Sequence, residues 1–234
     1  MTLTRRERWY VLGLLLLTAS TGAIDAVSYL ALDRVFTGNM TGNVLFLGFA
    51  LVGVADIPFL NNAVALLGFV AGSILGGRLV GRGHAKALPH RSGWVLAVSA
   101  ATGFGLTIVW LALGELPEPV LLLVTFLLAA MMGAQVAAVK PLGNTDITTV
   151  VVTNTLANLA RESRLGGGKG QAWVQRLLAV IAMGVGAAVG AAVVVVAGGA
   201  WALGASLLIF LAGGLTLALA SRGARVVKKE SVVA

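Results

Sequence analysis

The chain has no cysteine and only two histidines, His84 and His90, among 234 residues. Without thiols it can form no disulfide, carry no thiol nucleophile and offer no cysteine-ligated metal site. The two histidines lie six apart in a basic stretch with no acidic neighbour, so no metal is expected there. Charge is scarce as well, at 11% of residues, where soluble domains carry about 25%. That is too little polar surface to coat a water-exposed globule. The GK[ST] phosphate loop, the G-x-S-x-G elbow and the H-E-x-x-H helix are all missing. No enzyme and no cofactor are expected, and ATP-driven work would need another subunit.

What is present is apolar. Hydrophobic residues make up 58% of the chain, and mean hydropathy is +0.95. Residues 120–134 and 174–197 are apolar almost throughout, whereas outer-membrane strands alternate apolar and polar positions. These runs read as helices in lipid. The net charge of +8 raises the question of nucleic acid. The basic residues, however, cluster at 5–8, 78–91, 161–176 and 222–229. Each cluster flanks a hydrophobic segment, as topogenic charges do, with contact to anionic lipid as an addition. The partner expected is the bilayer, with no nucleic acid. Arg5, Arg6 and Arg8 before an apolar run resemble a signal peptide, but apolar character resumes as far as Leu32. The segment is read as the first helix.

Apolar stretches fall near residues 9–32, 41–54, 59–80, 93–114, 119–140, 147–160, 172–197 and 200–220. Crossing a bilayer takes about 20 helical residues, so the second and sixth are too short. If all eight crossed from a cytoplasmic N-terminus, the basic loop at 78–91 would lie outside, against the positive-inside rule. If the two short segments enter and leave on one side, every basic loop and both termini fall inside. The expected fold is therefore an all-α polytopic bundle of six crossings with two re-entrant half-helices.

The order long, short, long, long occurs twice. Gly22-Ala23 matches Gly133-Ala134 at a shift of 111, Thr37 and Thr41 match Thr149 and Thr153 at 112, and Gly72/Gly76 match Gly186/Gly190 at 114. Three crossings per copy would invert the second repeat relative to the first, an architecture of many secondary transporters. The domain reading is a first repeat at 1–114, a second at 115–221 and a basic cytoplasmic tail, frayed, from 222. The stripes Gly68/Gly72/Gly76 and Ala182/Gly186/Gly190 suit close helix packing, within the chain or in a homo-oligomer. Tryptophans near segment ends read as interfacial anchors.

Backbone without helix is tolerated at membrane depth only inside protein or a wet cavity. Residues 37–43, Thr37-Gly38-Asn39-Met40-Thr41-Gly42-Asn43, and the polar stretch with Asp146, Thr148 and Thr149 are the candidates. Asn39, Thr41 or Asn43 would cap the first half-helix, and Asp146, Thr148 or Thr149 the second. If both amino ends point at the bilayer middle, their unpaired N–H groups and partial positive charges form an anion site. Thr153 and Asn154 would extend it, and Asn154 shares a helical face with Asn158, toward a cavity or a helix interface. Asp25 is the sharpest residue. It lies about 24 Å along the first helix from Trp9, and a carboxylate there costs about 2.5–3.5 kcal/mol on insertion scales. Its partner would be the 37–43 segment or Arg34, and a proton-coupling role suits it; otherwise it is wet at the outer interface. Asp33 and Arg34 would pair at that interface. Gln135 and Lys140 occupy the matching region of the second copy, with Lys140 snorkelling to headgroups.

The stretch Gly22-Ala23-Ile24-Asp25-Ala26-Val27-Ser28-Tyr29-Leu30, followed by Phe36-Thr37-Gly38-Asn39-Met40-Thr41-Gly42-Asn43, resembles the YoaK-like family of bacterial membrane proteins, a domain of unknown function. The resemblance covers nearly the whole chain. It implies a multi-pass inner-membrane protein of about six spans and says almost nothing of activity. The second copy departs from the T-G-N-x-T-G-N pattern, with Thr153-Asn154-Thr155 in place of Thr41-Gly42-Asn43.

The functional expectation is a secondary transporter or permease for a small solute, anionic by preference, held between half-helix amino ends at the midplane. The alternative is a membrane accessory or assembly protein with no transport path.

Overall fold

The computed structural model describes residues 4–81, 83, 87–143, 149, 152–168 and 173–222, and the backbone of the last helix on to Val233. Eight α-helices follow one another: α1 (Arg5–Ala31), α2 (Met40–Leu51), α3 (Phe59–Val80), α4 (His90–Leu113), α5 (Glu118–Val139), α6 (Val152–Arg161), α7 (Trp173–Ala197) and α8 (Gly199–Val233). There is no strand among the described residues. Six of the helices are long and apolar enough to cross a membrane, and α2 is a shorter apolar helix.

Local chemistry sets the boundaries. Thr4 and Glu7 form a reciprocal capping box at the start of α1, with the Thr4 N–H donating to Glu7 Oε2 at 2.8 Å. Proline precedes α3, α4 and α5, at Pro58, Pro89 and Pro117, where φ is already helical but the chain has not yet entered the helix. Gly81 and Gly114 close α3 and α4 with φ of 82° and 72°, conformations open to glycine at no steric cost. The backbone of α8 runs on to Val233, and no glycine or proline follows Gly223.

The interior holds an apolar core, with Leu17, Ile24, Leu128 and Phe210 buried, but the exterior is apolar too and polar side chains share the interior. Leu67, Val98, Ile108 and Leu208 face outward, while Thr18, Ser20, Thr21, Ser28, Thr107, Thr125, Gln135 and Ser206 are buried. With lipid outside there is no hydrophobic drive to hide leucine, and small or hydrogen-bonding side chains take the helix interfaces. Thr18, Thr21, Thr107 and Ser206 satisfy their hydroxyls by donating to the carbonyl four residues back, at 2.7–3.0 Å.

Helix α1 is the buried axis of one half, packed between α7 and α8; α5 is packed against α3 and α4; α4 meets α8 and joins the halves. The glycine stripes make these contacts. Gly68 and Gly72 lie against the Phe126 and Ala130 carbonyls of α5, and Gly186 and Gly190 against the Ala19 and Ala23 carbonyls of α1. In return Gly133 faces the Phe69 carbonyl and Gly22 the Met183 carbonyl. These faces are therefore consumed inside the chain, and an oligomer would need some other surface. Trp9, Trp94, Trp173 and Trp201 are exposed near helix ends. Trp110 is not such an anchor: it is buried, its ring filling the space in front of Gly199.

Candidate functional site

The site starts where α1 ends. After Ala31 the chain folds back beside its own last turns, through Asp33 and Arg34 with φ of 64° and 56°, a region costly for residues other than glycine. The cost is met by burial of Leu32 and Val35 at 0% exposure. Asp33 and Arg34 do not pair with each other. Asp33 accepts from Asn61 Nδ2 of α3 at 2.7 Å, and Arg34 donates to the Asp56 carbonyl at 3.5 Å. The loop then drops alongside α1 to the level of Asp25, where α2 begins.

Each part of the T-G-N-x-T-G-N segment has its own task. Asn43, buried in the first turn of α2, accepts from the Phe36 N–H at 2.9 Å and donates to the Phe36 carbonyl at 2.6 Å, closing the loop on itself. Phe36 stacks on Tyr29 of α1 and on Phe46 of α2, with centroids 5.0 and 6.1 Å apart. Gly42 makes room for that ring, because a Cβ there would stand 2.7 Å from Phe36. Gly38 likewise lets the backbone approach Thr21 and Asp25, which a Cβ would meet at 3.0 and 3.2 Å.

The result is a carboxyl group wrapped by main chain. Asp25 Oδ1 accepts from the Thr37 N–H at 3.0 Å and the Gly38 N–H at 2.6 Å, and Oδ2 accepts from the Asn39 N–H at 3.0 Å. Thr37 Oγ1 adds a long contact at 3.5 Å. Asp25 is 7% exposed, Thr37 is fully buried and Gly38 is buried. Asn39, the N-cap residue, makes no side-chain cap; Asp25 reaches across from α1 to the N–H groups of Asn39 and of the two residues before it. Hydrogen bonds to a charged acceptor contribute about 1.5–3 kcal/mol each, enough for two of them to match the insertion cost of a carboxylate.

This revises the expected anion site in one respect. The N–H groups before α2 are not open; the chain's own carboxyl fills them. Of the sequence-predicted residues, Asp25, Thr37, Gly38, Asn39 and Asn43 come together, while Gly42 serves the packing of Phe36. Thr41 points outward.

The second segment differs. Asp146 and Thr148 lie outside the described residues, and Thr149 is buried. Helix α6 begins at Val152 and packs on α7. Thr153 and Asn154 are on its exposed face, while Val152, Thr155, Asn158 and Leu159 form the covered one. Asn154 and Asn158, one turn apart on the same side of α6, differ in cover: Asn154 is exposed and Asn158 is half-buried. No extended contact joins α2 to α6 among the described residues.

Two contacts escaped the sequence reading, which placed Gln135 in the second copy without a partner. Gln135 of α5 is fully buried and donates to Thr21 Oγ1 at 3.3 Å, next to Gly38, and its Oε1 has no hydrogen-bond partner. Arg176 of α7, 8% exposed in its side chain, donates to Glu162 Oε2 at 2.7 Å and to the Asn158 carbonyl at 3.2 Å, clasping the end of α6. The Arg176 hydrogen bond holds the Glu162 carboxyl below its ordinary value, against an opposing effect of desolvation. The basic cluster at 161–176 hid this pair, because a topogenic charge and a buried one read alike in sequence.

The family described as "Protein of unknown function (DUF1275)" matches residues 13–219. The chain belongs to this DUF1275 family. It is 35% identical over 152 residues to the UPF0700 transmembrane protein YoaK of Bacillus subtilis (strain 168), a match spanning 65% of each chain. No solved structure matches. As a DUF1275 protein the chain is a multi-pass membrane protein, and its Asp25 cluster and both polar segments fall within the matched residues.

Proposed function

We propose that the protein is a secondary transporter or permease for a small anionic solute, in which Asp25 and the solute compete for the same N–H donors. The observation that carries this reading is the buried carboxyl of Asp25 held by three consecutive main-chain N–H groups. Three such groups ahead of a helix are a ready anion cradle. While Asp25 is ionised it fills the cradle. A proton on Asp25 removes its charge and weakens its hold on the donors, and a small anion can then replace it. One proton enters with one negative charge, so the loaded site stays electrically balanced within the membrane. Gln135 Nε2 and Thr21 Oγ1 border the site and supply further polar contact.

A two-fold repeat supports this reading. Exchanging α1 with α5, α2 with α6, α3 with α7 and α4 with α8 carries each major helix contact onto another. The close approaches obey the same exchange. Gly72 on Ala130 becomes Gly186 on Ala19, and Gly133 on Phe69 becomes Gly22 on Met183, through shifts of 114 and 111. With three crossings per copy the second repeat is inverted, and rocking of one half on the other alternates access. The basic ends and both termini then face the cytoplasm of a bacterial inner membrane. No catalysis is assigned.

One observation favours the non-transporting accessory reading: the clefts between α3, α4 and α5 and between α4 and α8 lie away from Asp25. Proteoliposomes loaded with a pH-sensitive dye and offered formate, acetate, lactate and phosphate separate the two. At least one anion should drive proton uptake faster than in protein-free vesicles in the wild type, and none should do so in Asp25→Asn. Proton-coupled uptake that survives in the variant would remove Asp25 from the mechanism. No uptake of any anion, with Thr37→Cys protected from water-soluble reagents at every pH, would leave the accessory reading.

A further inference from the structure

The basic end of the bundle carries a second feature, unconnected with Asp25. Helices α3, α4 and α5 line a cleft of about 680 Å³ at the bundle's outer face, where Leu75, Leu79, Trp94 and Val98 are exposed. It forms because Gly72 and Gly76 draw α3 tightly onto α5, while α4 leans toward α5 and α8 and meets α3 only lightly. Val98, Leu127 and Ala130 give apolar walls, and Ser99 and Thr102 add hydroxyls. Along α4 the cleft runs from Arg91 to Thr102, about 16 Å at the helical rise.

Its mouth is cationic. Arg78, in the last turn of α3, and Arg91, in the first turn of α4, both line it beside Trp94. No acidic residue occurs anywhere in α3 or α4. Neither guanidinium is in an ion pair among the described residues. Two unneutralised guanidiniums above an apolar slot of this length match one kind of molecule: a phosphate carried on an acyl chain. Guanidinium groups suit phosphate because they can bind it through two parallel N–H bonds. A basic pocket between spanning helices is a headgroup site in general physical terms.

We infer that the α3–α4–α5 cleft binds one anionic glycerophospholipid, its phosphate between Arg78 and Arg91 and one acyl chain against Gly72, Val98 and Ala130. The tryptophan ring at the mouth sits at headgroup level, where amphipathic rings settle. Solvent-borne phosphate would satisfy the arginines but leave the apolar slot without an occupant, so the lipid is the ligand.

Native mass spectrometry of the full chain, released from nanodiscs containing equal phosphatidylglycerol and phosphatidylcholine, tests this directly. The wild type should retain one phosphatidylglycerol in preference to phosphatidylcholine by on the order of tenfold, as two basic groups near a headgroup imply. Arg78→Gln with Arg91→Gln should bring the two lipids to near parity. Val98→Trp, which fills the slot and leaves both arginines, should reduce retention of either lipid. The control Arg5→Gln with Arg8→Gln, an equal loss of charge elsewhere, should change neither. Equal retention of the two lipids by the wild type would overturn the inference. So would a control as damaging as the Arg78/Arg91 pair, or inorganic phosphate displacing the bound lipid.

Discussion

Replacing Asp25 separates its charge from its geometry, and the structure states what each substitution should do. Both Asp25→Asn and Asp25→Ala remove the buried carboxylate, so any relief from discharging it is common to the two. They differ in what is left for the donors. An asparagine can keep Oδ1, which accepts from both Thr37 and Gly38, and sets its amide where Oδ2 received the Asn39 N–H. Asn39 is exposed, so that one N–H can turn to water or headgroups. Alanine leaves the buried Thr37 and Gly38 N–H groups with no acceptor. Each orphaned buried donor costs about 1–3 kcal/mol, so alanine should be less stable than asparagine by about 2–6 kcal/mol. For a chain of this size each kcal/mol moves the midpoint by roughly 2–4 °C. Thermal unfolding in a fixed detergent, followed by intrinsic tryptophan fluorescence, should therefore place the alanine variant at least several degrees below the asparagine variant. Equal midpoints would mean that the Thr37 and Gly38 N–H bonds do not hold the loop, and the latch proposed for Asp25 would fall with them.

Two further outcomes follow from packing and charge. Gly72→Ala and Gly186→Ala should each destabilise by about 1–3 kcal/mol, because the added carbon meets a main-chain carbonyl rather than a side chain that can rotate aside. Gly77→Ala, next door but facing open space, should be neutral or slightly stabilising in the same melt. The clasp of Glu162 by Arg176 should make stability depend on acid. Because folding lowers the Glu162 pKa, its contribution is complete above the ordinary carboxylate value and is lost as pH falls through the lowered one. Glu162→Gln should flatten that acid limb of the stability profile, and an unchanged slope would show that the pair is screened.

Much of the fold could be read from composition and spacing, because six long apolar runs admit few arrangements in lipid and glycines at every fourth residue mark close helix contacts. The partner of each glycine stripe could not be read. Gly72 meeting Ala130, and Gly186 meeting Ala19, depend on which helices are neighbours, and periodicity carries no such information. Within the site, the pairing of Asp25 with residues 37–43 was one of two partners the sequence allowed, and Arg34 was the other. What decided it is tertiary: the left-handed turn at Asp33 and Arg34 returns the chain down α1 and turns Arg34 toward Asp56. Gln135 stayed obscure because a lone amide in an apolar helix has no period or spacing to betray its neighbour. Thr153 and Asn154 resemble the first motif in residue type, and residue type does not fix the exposed face on which α6 carries them.

The interleaving of early and late helices has a consequence for how the molecule is made. Helix α1 finds its main neighbours only when α7 and α8 have been synthesised, so its row of hydroxyls and glycines must wait in the bilayer while the helices between are made. The return of the Thr37–Asn39 stretch comes at once, and it covers the single acid that the waiting helix could least leave bare.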